Sequence, residues 1–189
     1  HIIVILSIVQ NPHFSCIFKV FIMGIFTVDN RDQEKFLRKK TADFDFSEYS
    51  LKEIKDLIKK MRATMKKANG IGLSANQVGL DLKLFIARVD NKFYSIFNPK
   101  ITKISKETIS LEEGCLSAPE VFGPTERPER VTLEGQDVNG KKIKIRAWGL
   151  LAKVFQHEVD HLNGVLFIDK ATELYKLQIT STKNQTNLK

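Results

Sequence analysis

Five residues late in this 189-residue chain, His157-Glu158-Val159-Asp160-His161, restrict its fold more than any other stretch. Histidines four apart on an α-helix project from one face, one turn apart, and can share a metal ion. Glu158 between them is placed to handle a proton of metal-bound water. Helical period runs through the surrounding residues from Leu150 onward. Leu150, Val154, His157 and His161 form one row, and Leu151, Phe155, Glu158 and Leu162 the next. Lys153, Gln156 and Asp160 occupy the opposite side, and Asn163-Gly164 ends the helix. Three polar side chains on an apolar face are costly to bury unless something pairs with them, and a divalent metal pairs with all three. The chain must therefore build its core around this helix.

Composition bounds what that core can belong to. With 42% apolar and 28% charged residues the chain has the make-up of a globular domain. The net charge is +8, but Lys59-Lys60, Lys66-Lys67 and Lys141-Lys142 fall in separate elements. That scatter describes a solvated basic surface, with no specific nucleic-acid recognition. The two cysteines, Cys16 and Cys115, form no Cys-x-x-Cys pair, which fits a reducing compartment better than a disulfide-built secreted domain. Residues 1–22 stand apart. Their apolar runs are split by Gln10-Asn11-Pro12-His13, fall short of the roughly 20 residues a membrane span needs, and lack a basic n-region. We read residues 1–22 as an extension before a native start at Met23, residues 23–175 as the catalytic domain, and 176–189 as a loose polar tail.

Within the domain, Arg31 to Arg38 has helical character, and Thr41 to Tyr49 is a polar loop anchored by Phe44 and Phe46. Ser50 and Glu53 form a capping box that opens a helix with an apolar stripe of Leu51, Ile54, Leu57, Ile58, Met61 and Met65. Gly70 to Gln77 is a loop of small residues that lets another chain or a ligand approach closely. Three strands follow, over 83–89, 92–97 and 100–107, with a turn at Asp90-Asn91 and a break at Asn98-Pro99. Pro119 to Pro128 reads as a proline-punctuated loop. Residues 130–136 and 141–147 form a hairpin around Asn139-Gly140, and 165–168 is strand-like.

A catalytic metal usually keeps three protein ligands and one open position. The protease pattern H-E-x-x-H-x-x-G-x-x-H is matched through Gly164, but Phe167 stands where its third histidine would be. His1 and His13 lie in the N-terminal extension, and Glu173 is poorly placed. Cys115 remains, and as a thiolate it is a strong ligand.

Three separated stretches, GIGLSANQ (70–77), EGCLS (113–117) and HEVDH (157–161), occur in the order and approximate spacing of the peptide deformylases, which the chain resembles from about Ile25 to Ala171. The resemblance implies an α+β fold, with antiparallel strands packed around a central metal-binding helix and an N-terminal helix. It implies a hydrolase that removes the formyl group from the N-terminal formylmethionine of newly synthesised polypeptides. Cys115, His157 and His161 would hold one divalent ion, Fe(II) foremost, with Zn, Ni or Co also accepted by such a site. Metal-bound hydroxide would attack the formyl carbon, with Glu158 as general base and then general acid. The Gln77 amide and the Leu116 backbone N–H would stabilise the oxyanion, and Gly72 would let the substrate backbone come close. Ile71, Leu150 and Val154 would lie near the methionine side chain. The expected setting is a monomer in transient contact with the ribosome, in a bacterial cytoplasm or in an organelle that initiates with formylmethionine.

Ser74 and Asn76 stand where the family more often has Ala and Pro, and Lys153 stands at a helix position often apolar. Two other readings compete. A metallopeptidase using the same helix predicts a zinc requirement with Cys115 dispensable. An inactive, basic RNA-binding relative predicts a function that survives loss of Glu158.

Overall fold

The computed structural model describes residues 22–176; of the expected extension and tail, residues 1–21 and 177–189 lie outside the described residues. The first helix, α1 (Arg31–Leu37), starts at Asn30, whose side chain accepts from the Asp32 and Gln33 N–H groups. The second, α2 (Leu51–Lys67), starts at the expected capping box. Ser50 Oγ accepts from Glu53 N, while Glu53 Oε2 accepts from Ser50 N at 2.8 Å. Its stripe buries Ile54, Met61 and Met65, whereas Leu51 in the first turn stays exposed.

The strands are β1 (Gly72–Ser74), β2 (Leu84–Val89), β3 (Lys92–Ile104), β4 (Thr108–Cys115), β5 (Ala118–Pro128), β6 (Arg130–Gln136) and β7 (Lys142–Trp148). The third helix, α3 (Gly149–Leu162), carries the HEVDH stretch, and a two-residue strand, β8 (Tyr175–Lys176), closes the described chain. All pairings are antiparallel, in a five-stranded sheet β1-β2-β3-β6-β7 and a three-stranded sheet β4-β5-β8. The fold is α+β, as expected.

The larger sheet separates two apolar clusters, and β2 feeds both. Phe85 and Ala87 join Leu133, Phe155 and Val159 on the α3 side. Leu84 and Ile86 join Met61, Leu73 and Phe97 on the α2 side. Being covered on both faces, β2 reads as a continuous apolar run rather than an alternating one.

Four sequence expectations need correction. Asn98-Pro99 does not end a strand; β3 runs through it with a bulge, and the register shifts between Phe97 and Lys100. Asn98 adopts φ +48, which asparagine tolerates better than most residues. Its side chain secures the 41–49 loop by accepting from Phe44 N at 2.7 Å and donating to Phe44 O at 2.9 Å. Residues 119–128 are not a loop but most of β5. That strand pairs with β4 along its length and with β8 only at Val121 and Phe122, so one edge stays largely open, where proline's missing N–H costs little. Residues 165–168 form no strand. Leu166 and Phe167 are buried anchors of a 3₁₀ turn, and Asp169 accepts from Leu166 N at 2.9 Å. Gly70 to Gln77 is more than a loop, since it holds β1 and a 3₁₀ turn, Ala75–Val78.

Helix α3 ends where expected. Gly164 has φ +77, and a Cβ there would come within 2.3 Å of the Arg38 carbonyl oxygen. Gly164→Ala should therefore destabilise the protein by at least about 1–2 kcal/mol. In urea denaturation its midpoint should fall with the slope unchanged.

Candidate metal centre

Cys115 sits at the end of β4, where the β4–β5 register shifts between Gly114 and Cys115. Such an irregularity re-aims a side chain, and here it turns the thiol towards α3. Cys115 Sγ lies 3.0 Å from His161 Nε2, which lies 3.2 Å from His157 Nε2. The three ligand atoms all fall within 4.8 Å of one another. A thiolate and two imidazole nitrogens form a donor set that suits a borderline divalent metal. His157 Nδ1 is engaged by Glu113 Oε2 at 2.9 Å, which leaves Nε2 as the nitrogen facing the cluster.

Electrostatics favour the ligating thiolate of Cys115, while His157 would have to give up a proton to ligate. Burial opposes ionisation of Cys115, but the adjacent His161 and His157 outweigh it and hold the thiol well below its usual range. Burial likewise opposes charge on His157, yet its hydrogen bonds to Cys115 and Glu113 push its pKa up to about 10. A cation bound between the thiolate and the imidazoles would take the place of the proton that His157 gives up. The residues present fit the ion that the sequence implies.

The supporting acid is Glu113, two residues before Cys115. Burial would raise its pKa, but His157 and Arg127 hold it far below the usual carboxylate range. Arg127 Nε and Nη2 donate to its two oxygens at 2.5 and 3.0 Å, and Thr125 Oγ1 donates at 2.5 Å. Arg127 Nη1 also reaches Asp160 on α3 at 2.7 Å. This network covers the side of α3 opposite the apolar rows. With the smaller sheet packed there, Lys153 is 6% exposed and Gln156 7%. Lys153 Nζ donates to the Glu112 carbonyl at 2.7 Å and Gln156 Nε2 to that of Pro128 at 2.9 Å.

A cavity of about 470 Å³ opens over the cluster. Cys115, His157 and Glu158 contribute to its wall, as do Gly72, Gln77 and Leu116. Ile71, Leu150 and Val154 line it too; Val154 is buried, while Ile71 and Leu150, each about half exposed, sit at the rim. Among the expected site residues His161 alone does not line the cavity, because it lies buried beneath. Glu158 is buried, and burial raises its pKa against the pull of His157, His161 and the Ser74 hydroxyl. Gly72 gains a reason beyond substrate approach, since a Cβ there would meet Glu158 Oε1 at 2.1 Å. Gln77 Oε1 accepts from Ser74 N at 2.9 Å, which turns Nε2 towards Ser117 Oγ at 3.1 Å and Cys115 Sγ at 3.5 Å.

Sequence reasoning missed Glu113, Arg127 and Ser74 as parts of this centre. Glu113 carried a usable signal, an acid two residues from an expected ligand; Arg127 carried none.

The polypeptide deformylase family model matches residues 25–177. A peptide deformylase of Dictyoglomus thermophilum is 45% identical over 121 residues, covering 64% of this chain and 78% of that protein. The chloroplastic peptide deformylase 1B of Solanum lycopersicum is 41% identical over 145 residues, covering 74% of this chain and 51%, about half, of the tomato protein. The crystal structure of peptide deformylase from Thermotoga maritima superposes with a TM-score of 0.74 at 36% identity, covering 81% of this chain and 99% of that one. Sequence and fold lead to one assignment: the chain belongs to the polypeptide deformylase family, the enzymes that take the N-formyl group off newly made polypeptides.

Proposed function

We propose that residues 23–175 form a metal-dependent catalytic domain that hydrolyses the formamide bond of N-terminal formylmethionine, releasing formate and a free amine. The observation that carries this reading is the convergence of Cys115, His157 and His161 beside buried Glu158 at the wall of one cavity. Cys115, His157 and His161 would hold a single divalent ion, Fe(II) foremost, which when bound supplies Lewis acidity and a water of lowered pKa.

The chain's own residues do the rest. Glu158 accepts the proton of the attacking water and returns it to the leaving amine, so one proton crosses the site while the C–N bond breaks. Its burial keeps the protonated form within reach, which the return step requires. Gln77, locked through its Oε1, presents its amide N–H groups beside Cys115, and with the Leu116 N–H it stabilises the developing oxyanion. Val154 and Ile71 with Leu150 receive the methionine side chain, and Gly72 leaves room for both Glu158 and the substrate backbone. Glu113 holds the His157 ring in its ligating orientation.

Among the described residues no helix is long and apolar enough to cross a membrane. The working unit is a monomer that meets nascent chains at the ribosome, in a bacterial cytoplasm or an organelle that initiates with formylmethionine.

Anaerobic purification with metal analysis, followed by a formate-release assay on a formyl-Met peptide before and after exposure to air, tests the whole reading. Cys115→Ala should lose the metal, and stoichiometric binding with unchanged affinity would remove Cys115 from the site. Glu158→Ala should keep the metal but lose about 100- to 10,000-fold in kcat. Full activity in that variant would sink the mechanism.

A further inference from the structure

Among the described residues, Ser74 supplies the hydrogen bond that holds the Glu158 carboxylate: its Oγ lies 2.6 Å from Oε2 and 3.0 Å from the Glu158 carbonyl oxygen. A hydroxyl has one proton, and the shorter contact to the charged acceptor claims it. Ser74 is wholly buried, and its own N–H is spent on Gln77 Oε1. The second carboxylate oxygen, Oε1, lies over Gly72, where only the absence of a Cβ makes room, and both residues line the cavity. The two oxygens therefore differ. Oε2 is tied into the protein, and Oε1 is turned to the cavity wall.

A glutamate side chain has three torsions to fix, and a proton carrier held loosely loses much of the advantage of proximity. We propose that Ser74 is a positioning residue for Glu158, pinning Oε2 so that Oε1 faces the reacting water. An alanine at this position supplies no such donor. Asn76 docks the same segment on the same helix separately, since its Nδ2 donates to the His161 carbonyl at 2.6 Å. Removing the Ser74 hydroxyl thus releases the carboxylate without undocking the segment from α3. The inference rests on the deformylase reading above.

The test compares wild type, Ser74→Ala and Ser74→Thr as metal-loaded enzymes on a formyl-Met peptide, with metal content and thermal unfolding measured alongside. In Ser74→Ala, kcat should fall about tenfold, a fraction of the full contribution of a general base, with KM and metal content unchanged. Ser74→Thr keeps the hydroxyl and should recover most of the loss. A hydroxyl with only a structural role would lower the unfolding temperature of Ser74→Ala and leave its kcat alone. Wild-type kcat in Ser74→Ala overturns the proposal, as does a folded, metal-loaded Ser74→Thr no faster than the alanine variant. A wild-type enzyme inactive on the peptide overturns the functional reading itself, a result distinct from either.

Discussion

The buried pairing of Glu113 with Arg127 is the interaction on which this architecture turns. Glu113 lies on β4, Arg127 on β5, and the pair reaches α3 twice, through His157 Nδ1 and Asp160. Ions this deeply buried carry a desolvation cost of several kcal/mol each, which only dense, well-aligned hydrogen bonds offset. Glu113 has them from Arg127, Thr125 and His157, with Lys153 at 3.7 Å. The small sheet is thereby locked to the helix in one register, and that register decides where Cys115 meets the histidines.

The same arrangement explains how acidic and basic groups coexist in so small a volume. Glu113 is compensated by cations behind the histidines, so its charge serves to orient His157. Glu158, one residue on along the helix, faces Ser74 and the cavity and among the described residues has no cation of its own beyond the imidazoles. Two glutamates near one centre are thus driven apart in proton affinity by what surrounds them. The hydrogen bonds of His157 and Arg127 favour the ionised form of Glu113, while burial favours the protonated form of Glu158.

Much of this was legible in the residues. Local chemistry read true where it was self-contained: the Ser50–Glu53 box, the Asn139-Gly140 turn, the Gly164 stop and the helical period around HEVDH. Cys115 emerged as the third ligand by elimination and by resemblance, and it does stand beside both histidines. Reading failed where a distant partner settles the conformation. The prolines of 119–128 suggested a loop because a central strand excludes them, yet β5 is paired on one side along most of its length. Asn98-Pro99 suggested a stop because its bulge is held by Phe44 and Gln136, more than 30 residues away. Helical period placed Lys153 and Gln156 opposite the apolar rows but could not reveal the second sheet that buries them.

By itself the sequence determined the family, the α+β class, the helix that bears the histidines and the identities of the expected ligands and proton carrier. The helix and the expected proton carrier follow from motif spacing and side-chain chemistry, the family and fold class from the resemblance that the three motifs carry, and the third ligand from both. Tertiary structure alone decided that Glu113 orients His157, why Gly72 must lack a Cβ, and that Ser74 holds Glu158. Each is a matter of contact across 44 to 86 residues of chain, and no local pattern records the partner.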